Sequence, residues 1–169
     1  TMFVAETDLS NIEDYDLSSL RTGVMAGAPC PLELMHQVID KLNMSEITIM
    51  YGQTETSPVN HMTDIDAPAE KRCGTVGRVG PYQEIKIIDE RGKVVPLGET
   101  GELCCRGYSV MQGYWNDEER TRETIDPSGW LHSGDLAEMD AEGYVQIVGR
   151  IKDMIIRGGE NVLALIHIS

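Results

Sequence analysis

The chain has 169 residues, of which 41% are hydrophobic and 25% charged, a composition typical of a folded protein and not of a disordered one. Its formal net charge of −14 disfavours nonspecific binding to nucleic acid, which needs a basic surface, and docking on an anionic membrane. No apolar run approaches the roughly 20 residues that a membrane-spanning helix requires.

The first third of the chain predicts a parallel α/β unit. Residues 23–29 read as a short buried strand that runs into a turn, and Pro31 suits the first position of a helix. The apolar residues between Leu34 and Leu42 then share one helical face. Residues 47–51 are rich in β-branched side chains and predict a second buried strand. The order strand, helix, strand favours a parallel pairing of the two strands.

After Gly74 the sequence changes to short strands separated by turns, which predicts a small antiparallel sheet or barrel. Gly92 marks the turn of one hairpin, and Asn116 is expected to cap a short helix. Strands are predicted over residues 84–89, 93–96, 101–106, 130–137 and 143–148.

The four cysteines show neither CxxC spacing nor a histidine at zinc-site spacing. Reduced thiols are therefore expected, which is consistent with an intracellular compartment. Cys104 and Cys105 are adjacent in a predicted strand, whose alternation directs them to opposite faces. The histidines show no metal-ligand spacing either, and for His132 we expect a packing role.

Five consecutive residues, Tyr51 to Glu55, follow the second predicted strand at its carboxyl end, where open α/β sheets bind ligands. Tyr51 offers a flat face to a purine, and Gly52 permits close approach of the backbone. Thr54 can donate to a phosphate oxygen, and Glu55 can hold Mg²⁺ through a carboxylate oxygen. By itself so short a motif fits a core tyrosine, a turn glycine and a capping threonine equally well.

Asp135 and Arg150 form a second candidate pair, separated by one predicted hairpin. A carboxylate accepts hydrogen bonds from a sugar diol, and a guanidinium supplies forked donors to sugar or phosphate oxygens. Taken singly, Asp135 also fits an Asx turn, and Arg150 a solvated strand end.

Together these motifs resemble the nucleotide site of the AMP-forming acyl-CoA synthetases, which belong to the adenylate-forming superfamily with the luciferases, coumarate ligases and peptide-synthetase adenylation domains. The resemblance extends from about Gly23 to Val162. It implies an enzyme that uses ATP and Mg²⁺ to convert a fatty acid into an acyl-adenylate. Coenzyme A then takes the acyl group as a thioester, and AMP and pyrophosphate are released.

The resemblance also implies a role for each residue that matches a family motif. The nucleotide-binding and catalytic positions are Gly27, Ala28 and Pro29 against adenine, Tyr51 stacked on its other side, Gly52, Thr54 at the α-phosphate, Glu55 at magnesium, and Asp135 with Arg150 at the ribose. Lys152 matches the hinge on which a small C-terminal domain swings, and Gly158 and Gly159 match the coenzyme A tunnel.

The fold that the resemblance implies is α/β plus β. Residues 1–72 would complete a parallel α/β AMP-binding subdomain, 73–149 a small antiparallel β-barrel-like subdomain, and 150–169 the hinge and the start of a truncated C-terminal α+β domain. The family's Ser/Thr/Gly-rich phosphate loop and its late lysine do not occur, so we expect an internal fragment of a longer synthetase, inactive alone. After Val162 the chain departs from the family pattern, which leaves open whether residues 163–169 are native.

Several alternatives stay open from the sequence. The parent enzyme could be an aryl-CoA ligase, a luciferase-like enzyme or a peptide-synthetase adenylation domain. A reading of another class is a non-catalytic truncated module that binds a nucleotide or another protein, and a third is a partial chain that does not fold alone. The resemblance implies an intracellular protein, mitochondrial or cytoplasmic, without deciding between the two. The acyl chain length and the oligomeric state are not determined by these residues either.

Overall fold

The computed structural model describes residues 2–157 and 160–163 of the chain. Its α-helices are α1 Met2–Thr7, α2 Leu32–Leu42, α3 Ala69–Gly74 and α4 Glu118–Thr124. Its strands are β1 Thr22–Ala26, β2 Glu46–Tyr51, β3 His61–Met62, β4 Arg78–Val79, β5 Gln83–Ile88, β6 Gly101–Gly107, β7 Leu131–Met139, β8 Val145–Arg150, β9 Met154–Arg157 and β10 Glu160–Leu163. None of the helices in these residues combines the length and the hydrophobicity needed to cross a bilayer.

The first sheet has the strand order β1-β2-β3-β4 and contains the predicted parallel unit. Strands β1 and β2 pair in parallel, from Thr22 opposite Glu46 to Ala26 opposite Met50. The apolar face of α2 is buried as its periodicity predicts, because Met35, Val38 and Leu42 point into one core with residues of both strands. The confirmed order places the carboxyl ends of β1 and β2 side by side.

The predicted burial of the first strand is wrong. Within β1 only Met25 is buried, while Val24 is 44% exposed. The cause is the strand order, since β1 lies at the edge of its sheet and pairs with β2 alone among the described strands.

The second sheet is antiparallel, with the order β5-β6-β7-β8, and it is open and not a closed barrel in the described part of the chain. Ile87, Leu103, Ala137 and Val145 form its buried core. The predicted turn at Gly92 is present, with φ +76°, but the second arm of that hairpin is only a single bridge between Ile88 and Val94.

The helix cap predicted at Asn116 lies one residue later. The Asp117 side chain accepts a hydrogen bond from the Arg120 backbone N–H over 3.0 Å, so Asp117 is the N-cap of α4. Asn116 instead has φ +52°, a turn conformation.

Short backbone contacts join the two sheets. The N–H of Val76 donates to the Val145 carbonyl over 2.8 Å, and the N–H of Val145 donates to the Gly77 carbonyl over 2.9 Å. Tyr51, the last residue of β2, also packs against the core of the second sheet. The carboxyl end of β2 therefore faces the second sheet, and the side chains described next lie at this junction.

Candidate functional site

A hydrogen bond between Tyr51 and Asp135 connects the two sheets at the candidate site. The Tyr51 hydroxyl donates to Asp135 Oδ2 over 2.5 Å. Asp135 lies within β7 and is only 6% exposed, so its carboxylate is held inside the protein and not on a loop surface. Burial and the neighbouring carboxylate raise the pKa of Tyr51 well above its usual range, which keeps the hydroxyl protonated as a donor.

Arg150 occupies the other oxygen of the same carboxylate. Asp135 and Arg150 are directly opposite each other in the β7–β8 ladder, and Arg150 Nε lies 3.1 Å from Asp135 Oδ1. The Arg150 side chain is 71% exposed, so most of the guanidinium faces solvent. A guanidinium carries five N–H donors and Nε is the one engaged here, which leaves this arginine able to reach a ligand beside Asp135.

A bulge in β7 determines where Asp135 points. Glu102 pairs with Leu136 and Cys104 with His132, so three residues of β7 lie opposite the single Leu103 of β6. The middle one, Gly134, has φ +73°, a conformation that favours glycine. The bulge therefore redirects the strand immediately before Asp135.

Glu102 holds this bulge with both of its carboxylate oxygens. Its Oε1 accepts from the Gly134 N–H over 3.2 Å, and its Oε2 lies 2.8 Å from His132 Nδ1. Sequence reasoning missed Glu102 and gave His132 only a packing role. The one available signal was a carboxylate directly before the apolar run of Leu103 and the two cysteines.

Gly52 is required by the protein's own backbone. A Cβ built on Gly52 would lie 1.9 Å from the Pro58 carbonyl oxygen, so the chain crosses itself closely here. The close approach predicted for Gly52 is therefore made by the segment at Pro58.

The residues that follow form a 3₁₀ turn, Thr54–Thr56, closed at its start by reciprocal hydrogen bonds between Gln53 and Thr56. Thr54 is exposed on this turn and Glu55 is half-buried. The turn thus presents a hydroxyl and a carboxylate side by side at the carboxyl end of β2.

Tyr114 is a second residue that sequence reasoning missed. Its hydroxyl donates to Glu55 Oε1 over 2.6 Å, and this hydrogen bond is the main cause that raises the pKa of Tyr114. The backbone of the same segment is fixed as well, because the Met111 N–H donates to the Glu55 carbonyl over 2.9 Å. Arg120 lies over the Tyr114 ring, with its Cζ 4.1 Å from the ring centroid. The orientation of Glu55 is therefore set from the second half of the chain.

The small-residue turn Gly27, Ala28 and Pro29 is exposed and follows β1 directly. Gly27 has φ +84°, and no atom lies within 4 Å of a Cβ built on it. Because Ala26 pairs with Met50, this turn and Tyr51 leave neighbouring parallel strands at the same edge.

The remaining predicted residues lie after β8. Lys152 is exposed in a 3₁₀ turn, Ile151–Asp153, that begins immediately after Arg150. Gly158 and Gly159, predicted to line a coenzyme A tunnel, lie outside the described residues.

Comparison with known proteins identifies the family of the chain. The family model described as "AMP-binding enzyme" matches residues 1–115. The chain is 52% identical over 163 residues to the putative acyl-CoA synthetase YngI of Bacillus subtilis (strain 168), covering 96% of this chain and 30% of the relative. It is 47% identical to the mitochondrial medium-chain acyl-CoA ligase ACSF2 of Bos taurus, covering 96% of this chain and 26% of that protein. The chain therefore spans about a quarter to a third of the length of these relatives.

Two of the solved structures that resemble this chain are also those of coenzyme A ligases or synthetases. The anthranilate CoA ligase AuaEII in complex with anthranoyl-AMP superimposes with a TM-score of 0.80 at 32% identity, over 95% of this chain and 30% of that one. The O-succinylbenzoate coenzyme A synthetase MenE of Bacillus subtilis, in complex with ATP and magnesium, superimposes with a TM-score of 0.81 at 31% identity, over 96% of this chain and 32% of that one. Because the family model matches residues 1–115 of the 169, the chain belongs to the family of AMP-binding enzymes.

Proposed function

We propose that this chain carries part of the nucleotide site of an ATP-dependent fatty-acid–CoA ligase. The observation that carries the proposal is the Asp135 carboxylate, held between the Tyr51 hydroxyl and the Arg150 guanidinium at the junction of the two sheets. The names of the relatives support the reaction class, since both YngI and ACSF2 are called acyl-CoA synthetases or ligases.

In the proposed reaction the fatty-acid carboxylate attacks the α-phosphate of ATP, and the bond from that phosphorus to the pyrophosphate leaving group breaks. The thiol of coenzyme A then attacks the acyl carbon of the adenylate and releases AMP. Neither step needs a protein nucleophile, because positioning and charge neutralisation supply most of the acceleration. The residues of this site accordingly act as binding and orienting groups.

Asp135 and Arg150 are the proposed ribose ligands. A buried carboxylate whose two oxygens already have donors is fixed in position, and each oxygen keeps a further lone pair for a sugar hydroxyl. Arg150 adds N–H donors from the solvent side. The Tyr51 hydroxyl is held by Asp135, and the Tyr51 ring makes an edge contact with the His61 ring. We assign one face of the Tyr51 ring to adenine and the Gly27–Pro29 turn to the other side of the base.

Glu55 and Thr54 are the residues that we propose to bind magnesium and the α-phosphate. A carboxylate oxygen is the ligand that Mg²⁺ prefers, and Glu55 meets this requirement because Tyr114 engages only its Oε1. When bound, magnesium would neutralise phosphate charge. Thr54 presents its exposed hydroxyl beside Glu55, where it can donate to an α-phosphate oxygen. Lys152 as hinge, and Gly158 with Gly159 as part of the coenzyme A tunnel, complete the proposal for the thioester step.

Two measurements test this function. The first is fatty-acid-dependent exchange between ATP and pyrophosphate, assayed on the longest open reading frame that encodes this chain. We expect exchange with medium- to long-chain acids, lost on Glu55→Ala and retained with Glu99→Ala, an exposed glutamate away from the site. Absence of exchange across fatty, aryl and amino acids would refute the ligase, while exchange with aryl or amino acids alone would reassign its substrate.

The second measurement is AMP binding by titration calorimetry on this chain. We expect saturable binding that Asp135→Ala abolishes and that Asp66→Ala, a matched exposed aspartate, leaves unchanged. Such binding without exchange in the longer protein would favour a non-catalytic nucleotide-binding module.

A further inference from the structure

Three side chains with metal-binding atoms converge on one face of the second sheet. Glu102 and Cys104 are two residues apart on β6, so they project from the same face of the strand. His132 lies directly opposite Cys104 in the β6–β7 ladder. Their potential ligand atoms, a carboxylate oxygen, a sulfur and an imidazole nitrogen, all lie within 4.8 Å of one another.

The spacing of these atoms is close to that of a tetrahedral zinc site. Zinc bonds of about 2.3 Å to sulfur and about 2.0–2.1 Å to nitrogen, at a tetrahedral angle, separate the two ligand atoms by about 3.5 Å. Cys104 Sγ and His132 Nδ1 are 3.7 Å apart. The two atoms would therefore need to move by only about 0.2 Å to bind one zinc ion.

The third ligand needs a small movement. Glu102 Oε2 lies 2.8 Å from His132 Nδ1, a hydrogen-bond distance. Two ligand atoms bound to one zinc ion would be about 3.3 Å apart, so the carboxylate must retreat by about 0.5 Å. A rotation of its terminal torsion supplies such a shift, because torsions of this kind are soft.

Burial and chemistry define how an ion would enter and which ion would bind. Cys104 is fully buried, whereas the side chains of His132 and Glu102 are 31% and 18% exposed, so the approach from solvent runs past those two. A sulfur, nitrogen and oxygen set selects zinc or cobalt over magnesium and calcium, which require oxygen ligands. Three protein ligands leave a fourth position for water.

We infer that Glu102, Cys104 and His132 form a binding site for one zinc-class divalent ion. The site is separate from the proposed magnesium ligand Glu55, and it does not depend on the proposed ligase function. On binding, the Cys104 thiol releases its proton to solvent, and His132 carries its ring proton on Nε2 so that the Nδ1 lone pair can bind the metal. No oxidation or other co-reactant is involved.

The test uses the tag-free chain with zinc and cobalt as the probes. In equilibrium dialysis we expect one zinc ion per chain, and with cobalt a thiolate-to-metal charge-transfer band. Cys104→Ser and His132→Gln should each weaken zinc binding at least tenfold and remove or shift that band. Matched controls are Cys105→Ser, the neighbouring thiol on the opposite face of β6, and His36→Gln, an exposed histidine of α2. Both controls should bind zinc like the unmodified chain.

Folding is checked by circular dichroism for every variant. If Cys104→Ser does not fold, the zinc affinity of Glu102→Gln tests the site instead, because this variant keeps the size of the side chain and removes the anionic ligand. We expect it to bind zinc more weakly than the unmodified chain. The inference is overturned if the chain retains no stoichiometric zinc, if the cobalt complex lacks a thiolate band, or if zinc binding survives in the folded variants of these three residues. In that case Glu102 and His132 form only the hydrogen bond that holds the β7 bulge.

Discussion

The Tyr51 hydroxyl and the Asp135 carboxylate, 84 positions apart in sequence, form a 2.5 Å hydrogen bond between the end of one sheet and the middle of the other. The acceptor is almost fully buried, and its second oxygen contacts Arg150. A buried carboxylate deprived of a donor is costly, so this contact contributes to stability as well as to the shape of the site.

Removal of the Tyr51 hydroxyl tests that contribution. Tyr51→Phe should lower the free energy of unfolding by about 1–3 kcal/mol, because Asp135 Oδ2 loses its donor in a buried place. Urea unfolding measures the change, and Tyr82→Phe, at a position that is 93% exposed, is the matched control. In a double-mutant cycle with Asp135→Asn the two effects should not add. Additive effects would mean that the two groups do not interact in solution.

Glu102 should act on nucleotide binding through the position of Asp135. Glu102→Ala removes both the Gly134 and the His132 contacts of the bulge, and we expect it to weaken AMP binding about tenfold, or about 1.4 kcal/mol. Glu102→Gln can still accept from the Gly134 N–H and should recover much of the affinity. Titration calorimetry in metal-free buffer provides the comparison. Equal affinities of the unmodified chain and Glu102→Ala would show that the bulge keeps Asp135 in place without this carboxylate.

Alanine substitutions at three glycines distinguish two reasons for needing glycine, a lack of space for a side chain and a positive φ. At Gly52 an alanine Cβ would lie 1.9 Å from the Pro58 carbonyl, so Gly52→Ala should destabilise the fold by about 3 kcal/mol. At Gly27 there is open space but φ is +84°, and we expect Gly27→Ala to cost about 1 kcal/mol. Gly74 has neither constraint, so Gly74→Ala should stay within about 0.5 kcal/mol. Thermal or urea unfolding of the three variants must reproduce this order, and a neutral Gly52→Ala would contradict the close crossing of the chain.

His61 should make stability depend on pH below neutrality. It is fully buried, and burial lowers its pKa from 6.5 to about 4. Between these two values the unfolded chain binds a proton that the folded chain does not, so stability falls as the pH falls from 6.5 towards 4. The slope from this residue is at most about 1.4 kcal/mol per pH unit.

The measurement for His61 is the free energy of unfolding in urea at pH 7.5, 6 and 5. His61→Gln should flatten the decline, and His36→Gln, an exposed histidine, should leave it unchanged. An identical pH profile for the unmodified chain and His61→Gln would mean that His61 is protonated in the folded state without a penalty.

Sequence reasoning predicted those parts of the fold that depend on local periodicity. The apolar face of α2 and the parallel pairing of β1 with β2 were confirmed, because spacing in the chain sets both. The structure also places Asp135 opposite Arg150 across one hairpin, since a short turn fixes which positions meet, while the roles of both residues stay predictions.

The contacts that sequence reasoning missed are all non-local. Tyr114 meets Glu55 from 59 positions away, and Glu102 meets His132 from 30. The absence of a histidine at zinc spacing did not exclude a neighbour for Cys104, because His132 arrives from the adjacent strand. The exposure of β1 follows from its place in the strand order, which local pattern does not encode.

The hydrogen bond between Tyr51 and Asp135 means that the candidate site exists only while the two sheets are in contact. A ligand that contacts both residues would then link the two sheets. Its binding free energy would add to the free energy needed to separate them. Hydrogen exchange at the N–H groups of Val76 and Val145, which join the sheets, would slow in the presence of nucleotide, while exchange in the middle of α2 would change little. A bound nucleotide would thus stabilise the contact between the two sheets as well as occupy the site.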